Sequence, residues 1–351
     1  MNFQKIKPTP LRLALSDLVQ TKELEPGRAW PLVLTPAQPH LDLAVWAKER
    51  VEFLEQSLNQ AGALLFRGFG VTTAERFQQV IGAITPQLLA YKERSTPRTS
   101  VSGEIYTATE YPADQPIPLH NENSYAHEFP RKLWFCCLQP AEQGGETLLA
   151  DSREVFRRIS QDTKARFIEK GVMYVRNYGA GIDLDWPTVF QTTSRAVVED
   201  YCRRAVIEFE WRQGDHLRTR QVRPATITHP VTDEDVWFNQ AHLFHVSSLE
   251  KTLREDLLTT MAEEDLTRNA YYGDGSAIAE DTLEELRRVY WQCAVSFPWQ
   301  PGDVLLVDNL LIAHGRMPYK GPRKILVAMA DKHAPPRFQS GVAVANDTGQ
   351  M

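Results

Sequence analysis

The chain has 351 residues, of which 42% are hydrophobic and 24% charged, and its formal net charge is −6. Such a chain can bury a large core, and its negative charge disfavours nonspecific nucleic-acid binding. With no signal-peptide pattern, no apolar run of membrane-spanning length, and four cysteines in neither a zinc nor a disulfide pattern, we expect a cytoplasmic protein with reduced thiols.

The N-terminal part predicts an irregular lead segment followed by helices and a strand. Residues 1–41 are rich in proline and are expected to be irregular. A helix ending at Gly62 is predicted by apolar residues at helical spacing, namely Leu43, Ala47, Val51, Leu54 and Leu58. The run 63–66 predicts a strand, and Thr72 with Glu75 forms the capping box of a second helix.

The tripeptide His120-Asn121-Glu122 is the first candidate metal-binding motif. The apolar run 133–138 behind it predicts a buried strand, and residues 143–145 predict a turn. On extended backbone, side chains two residues apart face the same way, so His120 and Glu122 can reach one metal. A second match at His40 lies in the proline-rich lead segment without such a pattern, so we favour His120.

The middle of the chain, residues 150–290, predicts a largely helical insert. Asp151 with Glu154 and Asp281 with Glu284 each mark the start of a helix. His242 and His245 lie three residues apart in this insert. Because no carboxylate accompanies them at a suitable spacing, we expect them to pack in the core or a pocket.

The C-terminal part supplies a third ligand candidate and an arginine. Residues 302–308 predict a turn and a buried strand, and His314 follows six residues after Asp308. Arg323 lies at the start of a further apolar strand, where its planar guanidinium suits a bidentate pair with a carboxylate. Lys324 is a rival for this role, but strand alternation places it on the opposite face, and we favour Arg323.

Two imidazoles and one carboxylate can hold one face of an octahedral metal and leave three positions open for a chelating co-substrate and dioxygen. This is the ligand set of a mononuclear iron(II) oxygenase. Strands before and after the insert predict an α+β fold, a double-stranded β-helix or jelly-roll barrel with flanking helices, within a single domain of residues 1–351. The open mouth of such a barrel is the expected site.

A series of ordered blocks across residues 62–332 resembles the TauD/TfdA superfamily of iron(II)- and 2-oxoglutarate-dependent dioxygenases, and more narrowly its SyrP-like branch. The blocks are TEYP, LHNENSYA, GGET, ADSR, RNYG, EFEW, WFNQAHLFH, YYGDG, DNLLIAHGR and GPRKILVAMA. The resemblance implies that His120, Glu122 and His314 bind Fe(II). It also implies that Arg323, assisted by the Thr147 hydroxyl, binds 2-oxoglutarate, and that O2 is the second co-substrate.

The resemblance further implies hydroxylation of an aliphatic carbon of an amino acid or of a carrier-bound aminoacyl group in natural-product biosynthesis. Glu122 stands where Asp is commoner, and keeping a carboxylate argues against halogenation. Desaturation, ring closure and a non-catalytic binding barrel are the alternatives. Four further polar residues could either line the pocket or make structural hydrogen bonds: Asn239, Gln240, Asp308 and Arg316. Neither nucleic acid nor a membrane is an expected partner.

Overall fold

A computed structural model describes residues 18–89, 99–108, 111–179 and 184–335 of the chain. Helices in these ranges are α1 Leu43–Lys48, α2 Val51–Ala61, α3 Ala74–Ile84, α4 Ser152–Arg158, α5 Gln161–Lys170, α6 Trp186–Phe190, α7 Arg195–Arg204, α8 Ala241–Phe244, α9 Lys251–Thr260 and α10 Glu280–Cys293. Strands are β1 Val19–Glu25, β2 Arg28–Pro36, β3 Ala63–Phe66, β4 Ser100–Ser102, β5 Ile105–Thr107, β6 Ile117–His120, β7 Phe129–Gln139, β8 Gln143–Gly144, β9 Thr147–Asp151, β10 Val172–Tyr178, β11 Glu208–Arg212, β12 His216–Arg223, β13 Thr226–Thr228, β14 Asp235–Trp237, β15 Arg268–Tyr272, β16 Val295–Phe297, β17 Val304–Asp308, β18 Ile312–Arg316, β19 Tyr319–Lys320 and β20 Lys324–His333.

Two sheets form the jelly roll predicted from the sequence. The larger has the order β1-β2-β3-β17-β7-β20-β5-β4, and the smaller has the order β16-β9-β18-β6. One apolar core joins them, with Leu133, Leu305 and Val327 from the larger sheet packed with Leu149 and Ile312 from the smaller. The sheets therefore face each other across a common interior, as the two layers of a β-sandwich do.

Helices cover the outer face of the larger sheet. Trp46 of α1, Leu58 of α2 and Phe77 of α3 pack with Trp134 of β7 and Leu306 of β17 in a second apolar cluster. Strands β7 and β17 are consequently buried on both faces, which explains their nearly continuous apolar sequences. The predicted strands at 63–66, 133–138 and 304–308 are confirmed by β3, β7 and β17.

The insert covers the outer face of the smaller sheet and contains strands as well as the predicted helices. Its four-stranded antiparallel sheet has the order β11-β12-β10-β15, and β13 pairs with β14. Phe167 of α5, Tyr174 of β10 and Leu286 of α10 pack with Leu148 and Ala313 of the smaller sheet. The insert is thereby attached to the strands that carry the predicted metal site.

The expectation of an irregular lead segment is wrong for residues 19–36. Strands β1 and β2 form an antiparallel hairpin there, and β2 pairs in parallel with β3 at the edge of the larger sheet. Residues 1–17 lie outside the described part of the chain. The prolines suggest irregular backbone, but Pro31 lies where the register of the hairpin shifts and before the pairing of β2 with β3 begins at Leu32, and Pro36 is the last residue of β2. Proline is tolerated at bulges and strand ends because its missing N–H costs no regular ladder hydrogen bond there.

Three predicted helix positions need correction. The repeat from Leu43 to Leu58 is divided into α1 and α2, although the apolar spacing is the same on both sides of the break. Helix α3 is capped by Thr73 and not by Thr72, because the Thr73 hydroxyl accepts the Arg76 N–H. Helix α10 begins at Glu280, ahead of the predicted Asp281. By contrast, Asp151 caps α4 as predicted and accepts two backbone N–H groups.

All four cysteines are buried and free. No helix in the described ranges is both long and apolar enough to cross a membrane.

Gly62 ends α2 in a left-handed conformation, and a Cβ there would lie 2.7 Å from Cγ1 of Ile312. We predict that Gly62→Ala lowers the free energy of unfolding by about 1–3 kcal/mol through overpacking and backbone strain. Gly27→Ala is the matched control, since Gly27 also has positive φ but a Cβ on it would meet nothing within 4 Å. Urea unfolding measures both variants. Equal losses in the free energy of unfolding would show that overpacking against Ile312 does not contribute to the loss in Gly62→Ala.

Candidate metal centre

Antiparallel pairing of β6 with β18 places His120 directly opposite His314. Their ring centroids are 4.5 Å apart, and Glu122 lies in the turn that follows β6. The ligand atoms of the three residues all lie within 4.8 Å of one another, and His314 Nε2 is 3.8 Å from Glu122 Oε2. The sequence-predicted triad therefore converges in space, although 192 residues separate Glu122 from His314.

The His120 imidazole is held in one orientation by its own strand. Its Nδ1 lies 2.8 Å from the Pro118 carbonyl oxygen, which makes Nδ1 the protonated donor and Nε2 the nitrogen with a lone pair. Metal-binding histidines commonly donate their second ring nitrogen in this way, which fixes both tautomer and ring orientation. His120 is thus arranged to offer Nε2 to a metal.

Asn121, between the two ligands, points away from them into the protein. Its Nδ2 donates to Ser152 Oγ at 3.1 Å, and its backbone carbonyl accepts from Gln240 Nε2 at 2.7 Å. Gln240 belongs to the insert, and its own N–H donates to the Tyr174 hydroxyl. The insert therefore helps to hold the ligand-bearing turn, which assigns Gln240 a supporting hydrogen bond.

A cavity beside the two imidazoles contains the predicted co-substrate residues. His120, His314, Thr147 and Arg323 all line it, together with the ring of Phe135. The cavity also has apolar lining residues, among them Ala108, Ile117, Ile325 and Val327. One cavity therefore combines two of the three metal-ligand candidates with the Arg323 guanidinium and the Thr147 hydroxyl.

Arg323 is a largely buried cation that no carboxylate of the described residues pairs with. Its Nε is buried without a hydrogen-bond partner, and burial followed by repulsion from Arg316 lowers its pKa to about 10. Lys324, the rival from sequence, is exposed and does not line the cavity. A buried guanidinium without an anion suits a ligand that brings a carboxylate.

The loop 144–147 is shaped around Arg323. Gly145 has a φ of 74°, and a Cβ on it would lie 3.2 Å from Arg323 Nε. Thr147 Oγ1 accepts a 2.9 Å hydrogen bond from Trp299 Nε1. Since Trp299 can only donate, the Thr147 hydroxyl keeps its own hydrogen for an acceptor in the cavity. Trp299 was not among the sequence-predicted residues, because its position next to Thr147 depends on the pairing of β16 with β9.

Arg316 and Tyr319 complete the polar wall. Arg316 lines the cavity and donates to three backbone carbonyls, those of Tyr111, Pro112 and Gln115. The Tyr319 ring lies under both guanidinium groups, 4.9 Å from that of Arg316 and 5.5 Å from that of Arg323. Cation–π contact of this kind stabilises a partly desolvated guanidinium.

The other histidines named from the sequence do not belong to the cluster of ligand atoms. His40 is exposed. His242 is buried against the Tyr290 ring, its Nε2 lies 3.0 Å from the Leu119 carbonyl oxygen, and burial lowers its pKa to about 3. His245 accepts the Ser247 N–H at its Nδ1. The expectation that His242 and His245 pack is confirmed by these contacts.

Asp308 and Asn239 make structural hydrogen bonds. Asp308 is fully buried, accepts the backbone N–H groups of Leu310 and Leu311, and lies 3.1 Å from His229 Nε2. Asn239 donates to the Ala225 carbonyl. Neither residue lines the cavity beside the imidazoles.

The donor set decides which metal fits. Two imidazole nitrogens and one carboxylate oxygen, with no thiolate among them, form the facial arrangement that non-haem iron(II) oxygenases use. The adjoining cavity is also lined by Arg323 and Thr147, which would bind the carboxylate of a ligand held there. The residues present therefore fit both iron(II) and a 2-oxo dicarboxylate.

Comparison with known proteins agrees with this chemistry. Residues 25–329 match the model of the family described as "Taurine catabolism dioxygenase TauD, TfdA family". The chain is 41% identical over 278 residues to the dapdiamide synthesis protein DdaC of Enterobacter agglomerans, covering 79% of this chain and 84% of that protein. It is 30% identical over 338 residues to a clavaminate synthase-like protein of Arabidopsis thaliana, covering 91% and 98%.

Solved structures share the fold at lower identity. PvcB of Pseudomonas aeruginosa superposes with a TM-score of 0.55 and 15% identity over 95% of this chain and 98% of that one. AAD-2, solved in complex with Mn(II) and N-oxalylglycine, gives a TM-score of 0.53 and 14% identity over 90% and 98%. These similarities show a common jelly-roll fold.

Arg323 has no carboxylate partner among the described residues, and burying its charge in this way has a measurable cost. With a pKa of about 10 the guanidinium stays charged at neutral pH, where its full desolvation cost applies; that cost falls only as the pH rises through 10. We predict that Arg323→Met raises the free energy of unfolding of the metal-free protein by about 1 kcal/mol, because partial solvent access limits the penalty.

Lys324→Met is the matched control, since this neighbouring cation is exposed and its removal should leave stability unchanged. Chemical denaturation at neutral pH without ligands measures both variants. A lower free energy of unfolding in Arg323→Met would contradict the prediction, because it would mean that contacts within the fold already offset the desolvation cost of the guanidinium.

Proposed function

Because this chain belongs to the taurine catabolism dioxygenase TauD, TfdA family and is a dioxygenase that uses iron(II), 2-oxoglutarate and dioxygen, we propose that it hydroxylates an aliphatic carbon of an amino acid or of a carrier-bound aminoacyl group. The single observation that carries the site assignment is the placement of His120 and His314 in one cavity with the unpaired Arg323. A cation and two metal-ligand candidates in the lining of one cavity match a co-substrate that has a chelating end and a distal carboxylate.

Five residues take named roles in this proposal. His120, Glu122 and His314 hold iron(II), and Arg323 pairs with the distal carboxylate of 2-oxoglutarate. The Thr147 hydroxyl, oriented by Trp299, donates to the same carboxylate. When bound, the iron and its co-substrate supply oxygen activation and hydrogen abstraction from an unactivated carbon, with release of succinate and carbon dioxide.

The protein's own contribution is positioning and exclusion of water. Arg316 holds residues 111–115 against the cavity through three carbonyls, and the apolar side chains of Phe135, Ile325 and Val327 line its wall. A dry, rigid cavity favours productive orientation of the bound molecules and limits side reactions. No proton-transferring side chain is needed at the reacting carbon, so the absence of an acid–base pair in the proposal is chemically consistent.

The substrate class is supported by the relatives. The 41%-identical protein is named for dapdiamide synthesis, and the PvcB structure is described as an Fe, alpha-ketoglutarate dependent oxygenase from an isonitrile synthetic pathway. We therefore propose that this chain acts in natural-product biosynthesis, in the cytosol, where its four buried thiols stay reduced. Desaturation or ring closure of the same substrate is the alternative outcome of hydrogen abstraction.

Binding of iron(II) and 2-oxoglutarate has a direct optical test. We predict that anaerobic addition of both to the metal-free protein gives a visible charge-transfer band, because the co-substrate chelates the metal. His120→Ala should abolish the band. Arg323→Met should retain it only at much higher 2-oxoglutarate concentration, and Lys324→Met should titrate like the unaltered protein. Absence of the band in the unaltered protein would rule out the chelate.

The substrate and the reaction outcome are tested together. We predict that succinate formation is coupled to product only for a member of a panel of free and carrier-bound amino acids. A product one oxygen atom heavier than the substrate indicates hydroxylation, and a product two hydrogen atoms lighter indicates desaturation or cyclisation. Coupled turnover of a compound that is not an amino acid, with none from the panel, would contradict the proposed substrate class.

A further inference from the structure

Asn309 binds both backbone polar groups of Glu122 through its side chain. It is fully buried and lies between β17 and β18, in the connection that leads to His314. Its Oδ1 accepts the Glu122 N–H at 2.7 Å, and its Nδ2 donates to the Glu122 carbonyl at 2.9 Å. One side chain therefore satisfies both backbone groups of the acidic ligand residue.

Two further hydrogen bonds fix Asn309 itself. Its Nδ2 also donates to the Pro130 carbonyl at 2.8 Å, and its backbone carbonyl accepts from Asn121 Nδ2 at 2.7 Å. The turn of residues 121–124 and the connection of residues 309–311 therefore each donate hydrogen bonds to the other. The carboxamide of Asn309 both accepts and donates here, whereas an ionised carboxylate lacks the donor and an apolar side chain lacks both.

We propose that Asn309 is a positioning residue that sets the distance between the Glu122 carboxylate and the His314 imidazole. Glu122 lies outside regular structure, so no strand ladder fixes its backbone. His314, in contrast, is held in β18 between β9 and β6. Asn309 precedes His314 by five residues in the same segment and ties the turn to it, which places Glu122 Oε2 3.8 Å from His314 Nε2.

The same contact connects the metal site to the larger sheet. Asn309 donates its backbone N–H to the Arg131 carbonyl of β7, next to the Pro130 carbonyl that its side chain binds. A shift of Glu122 would therefore require breaking hydrogen bonds to β7 and to the β17–β18 connection at once. Groups outside a metal's ligand set that are held in this way typically tune metal affinity about 10- to 100-fold.

The inference rests on the proposed metal site, and the test uses metal affinity without turnover. Metal-free full-length protein is titrated with Mn(II), and free Mn(II) is counted by electron paramagnetic resonance at a temperature where circular dichroism shows each variant to be folded. Asn309→Ala removes all the side-chain contacts. Asn309→Asp keeps the shape but replaces the two N–H donors with a carboxyl group that faces two carbonyls and has at most one donor, and it serves where the alanine variant does not fold.

Asn269→Ala is the matched control. Asn269 is also buried, accepts the N–H groups of Val246 and Ala270, and donates to Glu263 and Tyr271, so these side-chain hydrogen bonds all go to residues of the insert. We expect both Asn309 variants to raise the Kd for Mn(II) about 10- to 100-fold and Asn269→Ala to leave it unchanged. Native affinity in the Asn309 variants, or an equal loss in Asn269→Ala, would overturn the positioning role. Failure of the unaltered protein to bind Mn(II) would instead overturn the proposed metal site, and the inference with it.

Discussion

The pairing of β6 with β18 is the interaction on which the rest of the site depends. It brings His120 opposite His314, and the same strand β18 pairs on its other side with β9, whose first residue is Thr147. Because side chains on a strand alternate between faces, His314 and Arg316 share the cavity face. A shift of β18 by one residue would move both to the other face, so the register of a short ladder determines whether the chain has a metal site at all.

The cavity also shows how a binding site differs from a core. The guanidinium groups of Arg316 and Arg323 are largely removed from water, and no carboxylate of the described residues pairs with Arg323. The Tyr319 ring and the hydrogen bonds of Arg316 partly offset the desolvation cost. An interior optimised for stability alone would place apolar side chains there. The charge is useful only to a ligand that brings the missing anion, which gives the family's dicarboxylate co-substrate a physical reason to bind.

Much of the fold and of the candidate site could be predicted from the sequence, but some parts far better than others. The strands at 133–138 and 304–308 were predictable because residues buried on both faces give continuous apolar runs. His120, Glu122, His314 and Arg323 were identifiable from local spacing together with the family's ordered blocks. The roles of Trp299, Tyr319 and Asn309 could not be predicted. Trp299 and Asn309 contact residues more than a hundred positions away, and the Tyr319 ring contacts two arginines at once, so no local sequence pattern indicates these contacts. The hairpin 19–36 was missed because its prolines resemble a loop.

The order of strands in the sheets has a consequence for how the protein forms. Strand β17 lies between β3 and β7, β18 lies between β9 and β6, and β20 lies between β7 and β5. Strands β17, β18 and β20 are thus central members of the two layers, so the earlier strands have no complete neighbours until residues 304–333 have been synthesised. Folding of the barrel is dominated by contacts between distant segments, which are slow to form. The proposed iron site accordingly forms only when β18 pairs with β6, and a nascent chain that does not yet include His314 holds His120 and Glu122 without the third proposed ligand.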